Sequence, residues 1–131
     1  MNDLTITVPA ERKWILALRT TIGACGSIAG LSLDTISDLR LAIDEGFDLL
    51  SHQPRKLEKI RMDCSIDQGM LHIKLQGIRS EKAQTCAPQD PQTAKLIIGT
   101  LVTDIHLEGD SCGIHSMCLS ISTGEEVNER G

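Results

Sequence analysis

Carboxylates are the chain's most reactive-looking group. Asp34, Asp38, Glu45 and Asp48 recur at intervals that place them on one side of a helix, with His52 following. A carboxylate beside a serine hydroxyl can accept its proton, so Glu45 is the candidate general base. Asp48, three residues on, is a second carboxylate on the same side of the helix. A second cluster, Cys112, His115 and Cys118 with His106 nearby, has the ligand types zinc accepts. On a strand, however, positions 112 and 118 face opposite to 115, so the cluster does not converge, and Cys118 is expected to be a small core residue. His52 is expected to be a polar or cationic cap at a helix end. Cys86, with only Lys82 nearby, is the candidate exposed thiol. No Gly-x-Ser-x-Gly and no phosphate-loop lysine motif is present.

The acidic run is positioned by the clearest amphipathic pattern in the chain. Ile36, Leu39, Ile43, Phe47 and Leu50 share one helical face, and the acids share the other, interrupted by Leu41. Asp34 is the expected N-cap, and the helix is predicted from Thr35 to about Ser51, before Pro54. Ahead of it, LTITV at residues 4–8 predicts a strand ended by Pro9. A further helix is predicted from Glu11 to about Ala29, with Trp14, Ile15, Leu18, Ile22 and Cys25 on its apolar face.

Beyond it, residues 57–66 and 70–76 alternate as half-buried strands joined by a tight Asp67-Gln68-Gly69 turn. Residues 77–91 lose periodicity and read as a long polar loop. A helix over Ala94–Val102 and strands over 104–108 and 114–121 complete one domain spanning residues 1–123, with a polar tail at 124–131. The order β-α-α-β-β-loop-α-β-β predicts a two-layer α/β (α+β) sandwich. Its sheet is expected to be mixed but mostly antiparallel, with two to three helices on one face.

Composition narrows the function. The chain has 131 residues, a net charge of -5 and only Trp14 and Phe47 as aromatics. Nucleic acid is therefore not an expected partner, because both basic clusters and stacking platforms are missing. No apolar run approaches the roughly 20 residues of a membrane span, and the opening residues do not resemble a secretory signal. A cytoplasmic protein with five reduced cysteines is the expectation.

The element order and the segment Asp38-Leu39-Arg40-Leu41-Ala42-Ile43-Asp44-Glu45-Gly46-Phe47 resemble the anti-sigma-factor serine/threonine kinases of the histidine-kinase-like ATPase family. In that family a Glu at the position of Glu45 activates the substrate serine, and an Asn four residues later ligates Mg²⁺ of ATP. Here that later position is Leu49, which has no oxygen to offer. Asp48 lies one residue early. The family's Asp-x-Gly-x-Gly segment aligns with Gly77-Ile78-Arg79-Ser80-Glu81, and its second glycine-rich stretch with Pro91-Gln92-Thr93-Ala94-Lys95-Leu96; neither motif is kept. Without them Glu45 reads as part of a solvated face. The resemblance therefore implies a regulatory protein that acts by protein–protein contact, with a sigma factor or anti-anti-sigma-like partner and a homodimer as implied assemblies. No cofactor is expected. The alternatives are an active ATP- and Mg-dependent kinase with an atypical site at Glu45 and Asp48, or a small-molecule-binding domain with its pocket under the long loop.

Overall fold

The computed structural model describes residues 2–83 and 90–124. Five strands and three helices alternate as β1 (Leu4–Pro9), a 3-10 turn at Arg12–Trp14, α1 (Ile15–Ile28), α2 (Leu33–Ser51), β2 (Arg55–Asp67), β3 (Met70–Ala83), α3 (Pro91–Gly99), β4 (Asp104–Asp110) and β5 (Gly113–Ser122). The strands form one sheet in the order β1-β2-β3-β5-β4. Every pairing is antiparallel, so the sheet is not mixed. Helices cover one face of it, the two-layer α+β arrangement that the order of elements implied.

Strand alternation separates the faces. Ile60, Met62, Cys64, Leu71, Ile73, Leu75, Met117, Leu119 and Ile121 point into the core with Leu18, Ile22, Leu39, Ile43 and Phe47 from the helices. The β2–β3 connection is a two-residue turn in which Gln68 and Gly69 both take positive φ, the geometry that matches strand twist in tight hairpins. The α2 seam is as the pattern predicted: Ile36, Leu39, Ile43, Phe47 and Leu50 are all buried. Gly46 lets α2 approach the sheet closely, since an added Cβ would overlap the Met117 side chain and lie 3.0 Å from Leu75 Cδ1.

Several expectations need correction. Ser32, not Asp34, caps α2, with its hydroxyl accepting the Thr35 N–H at 3.2 Å. Trp14 stands in the 3-10 turn, partly exposed, and does not join the buried face of α1. The stretch expected to be a loop from Gly77 begins as strand: β3 continues to Ala83, paired with β2 across two register shifts. Periodicity fails there because this end of the hairpin is paired with β2 but not with β5, whose register with β3 ends at Gln76. With little apolar burial there, strand pairing and side-chain hydrogen bonds set the conformation. The rest of the predicted loop, residues 84–89 with Cys86, and residues 125–131 of the tail lie outside the described residues.

The sheet's other face is polar and forms cross-strand rows. One row runs His106–Cys118–Lys74–Asp63–Thr5, and the next runs Glu108–Ser116–Gln76–Arg61–Thr7. Asp63, nearly fully buried, accepts from Thr5 Oγ1 at 2.8 Å and Arg61 Nε at 3.0 Å. Cys118 belongs to this face and not to the core, because Met117 and Leu119 take the inward positions on either side of it.

Candidate functional site

The C-terminal half of α2 carries the residues on which chemistry was expected, and the fold engages Asp48 and the last backbone carbonyls of the helix. Asp48 forms an ion pair with Arg12 from the 3-10 turn. The Asp48 carbonyl accepts a hydrogen bond from His52 Nδ1 at 2.7 Å, so His52 caps the helix end as expected. The Leu49 carbonyl accepts from Gln53 Nε2 at 2.8 Å, and Gln53 Oε1 in turn accepts the Ile114 N–H at 2.9 Å. Gln53 is buried and ties the end of α2 to the start of β5. A Cβ at Gly113, which has φ +104°, would meet Gln53 Oε1 at 2.5 Å, so glycine is required at this junction.

Leu49 is fully buried. Its side chain belongs to the protein interior, where neither water nor a metal ion has access. Glu45, one turn earlier, is half-buried and makes no hydrogen bond or ion pair among the described residues. Mg²⁺ in nucleotide sites takes one or two protein carboxylates beside phosphate and water oxygens, and of the two candidate carboxylates here Asp48 is held by Arg12. Among the described residues, no group of three or more His, Cys, Asp or Glu side chains is placed to hold a metal ion. That includes Cys112, His115 and Cys118: Cys112 sits in the β4–β5 turn, and the other two alternate along β5.

The segment aligned with the family's adenine-holding motif is also occupied. Arg79 donates both guanidinium nitrogens to the Asp110 carboxylate at 2.8 Å and one of them to the Gly113 carbonyl at 3.1 Å. The hydrogen bonds from Arg79 hold the Asp110 carboxyl well below its ordinary range. This bidentate pair anchors the extension of β3 to the β4–β5 turn.

In comparisons with known proteins, no family model matches the chain, and no curated protein matches it.

Sequence reasoning missed the apolar side chains that the helical layer leaves in solvent. Leu16 is 65% exposed and Leu41 53%, and Ile28 and Leu33 are more exposed still. Leu16 and Trp14 border an open groove with Lys13, Ala17 and Thr20, and Arg19 and Arg40 flank Leu16 on its other side. Arg19 is anchored there by Asp44, which accepts its Nε at 2.7 Å. Both leucines lie outside the i, i+3, i+4 series that builds the seam. That phase mismatch was the available signal, and for Leu41 it was visible as a break in the polar face.

Proposed function

We propose that this chain is an anti-sigma-factor-like regulatory protein of the histidine-kinase-like ATPase type, cytoplasmic, acting through protein–protein contact without an ATP-dependent step. The observation carrying this reading is the closure of the α2 end: Leu49 is buried, Asp48 is held by Arg12, and Gln53 occupies the last-turn carbonyl. A side chain committed to the core or to an ion pair is not free to hold a metal-nucleotide. What remains for function is surface. The exposed Trp14, Leu16 and Leu41 on the helical layer supply the kind of apolar anchors that protein partners bury. The partners this reading implies are a sigma factor or an anti-anti-sigma-like protein of the same cell.

Two measurements test it together. Calorimetric titration with Mg-ATP should show no binding in the micromolar range, around -8 kcal/mol; binding there would revive the kinase reading. Pairwise binding to the host's sigma factors and their antagonists should find a partner. The double variant Leu16→Asp, Leu41→Asp should weaken that complex by at least about tenfold, or 1.4 kcal/mol. Its unfolding midpoint should hardly move, because both sites are exposed. Undiminished binding by a folded double variant would exclude the helical layer as the docking surface.

A further inference from the structure

Cys25 was assigned by sequence to the apolar face of a helix, Cys64 lies in a strand expected to be half-buried, and the fold brings the two together. Cys25 on α1 and Cys64 on β2 line one cavity of about 240 Å³ with Leu4, Ile28, Ile66 and Leu71. The thiols are themselves only 8% and 2% exposed. Leu4 and Ile28 are much more exposed and form the cavity mouth. The charged group beside it, Asp3, is already engaged, its carboxylate accepting the Ile66 N–H at 2.8 Å. The cavity is therefore an apolar chamber whose reactive groups are the two thiols that line it, and burial keeps the Cys64 thiol protonated at neutral pH.

These conditions select a ligand chemistry. Two thiolates around a monovalent soft cation would leave a net negative charge in an apolar chamber, which is costly. Zinc requires about four ligands, and the chamber supplies two sulfurs. A trivalent organoarsenical avoids both problems. Its As=O group condenses with two neutral thiols, forming two As–S bonds. Both thiol protons leave with the arsenical oxygen as one water molecule. No electron is transferred, the product is neutral, and the organic substituent remains to fill apolar space.

We propose that Cys25 and Cys64 form a dithiol site that captures small trivalent organoarsenicals bearing an apolar substituent. The site is independent of the proposed regulatory role.

The test uses the full chain with Cys86→Ser, Cys112→Ser and Cys118→Ser, which leaves two thiols, titrated with phenylarsine oxide under native conditions. Intact mass should show one arsenical per chain with both thiols consumed. The adduct should survive excess monothiol and be released by a dithiol. Tryptic digestion should recover residues 20–40 joined to residues 62–74 through arsenic. Adding Cys25→Ser or Cys64→Ser should weaken capture at least about 100-fold, because the second As–S bond is intramolecular only when both thiols are present. Should either serine variant fail to fold, the joined peptides from the three-serine chain decide the matter. Absence of the adduct, an adduct that monothiol strips, or one formed only after denaturation would each overturn the proposal.

Discussion

Truncating Phe47 to Ala should destabilise the protein by about 3–5 kcal/mol, a large share of the 5–15 kcal/mol that holds a typical domain together. Phe47 is 2% exposed and packs in the core cluster at the centre of the α2 seam. Removing its ring loses both the transfer free energy of the aromatic surface and the dispersion contacts of the atoms that lined it. The fold is poorly placed to relax into the space, since α2 is tied at its start by the Ser32 cap and at its end by Gln53. Urea denaturation, read as a shift in midpoint at constant slope, measures the loss. Glu45→Ala serves as the contrast. With no hydrogen bond or ion pair among the described residues, it should change stability by less than about 0.5 kcal/mol. Asp48→Ala loses an ion pair in which Arg12 is largely exposed, worth about 0–1 kcal/mol. Equal costs for Phe47 and Glu45 would mean that α2 presents a different face to the sheet.

The second large effect is at Leu49. Leu49→Asn restores the residue type that the resembling kinases use for Mg²⁺, yet it should cost about 3–5 kcal/mol and confer no Mg-ATP binding. The cost combines lost apolar burial with an amide placed where Leu49 is fully buried. Leu49→Met, which nearly conserves volume and polarity, should cost less than about 1.5 kcal/mol. Chemical denaturation of the two variants and calorimetry with Mg-ATP give the comparison. An Asn variant as stable as the parent chain, or one that binds Mg-ATP at micromolar concentration, would show that position 49 opens onto a usable site.

The contrast between Phe47 and Leu49 marks how far the sequence could be read. Phe47 belongs to a series spaced at three and four residues, and such a series has only one way to bury itself against a sheet. Leu49 lies off that series, so its side chain could be assigned a chemical deficiency but not a location. The same holds for the thiols. Helical spacing put Cys25 on the apolar face of its helix and alternation made residues 57–66, with Cys64 among them, a half-buried strand, but no local pattern says which residues of two distant elements will meet. Cys118 shows local reasoning failing by one residue: a small apolar side chain was taken for core, when strand alternation gave the inward positions to Met117 and Leu119.

The sequence by itself determined the order of elements, the seam of α2, the tight turn at Gln68–Gly69 and the absence of known nucleotide-binding motifs. All of these depend on spacing and residue type within a short stretch, where backbone geometry leaves few choices. Tertiary structure alone decided that β3 runs on to Ala83, that Arg79 is spent on Asp110, that Arg12 and Gln53 occupy the end of α2, and that two thiols share one apolar chamber. Each of these joins residues far apart in the chain. Whether a polar group is free or engaged depends on partners that only the packed fold brings within reach, and no short-range pattern encodes them.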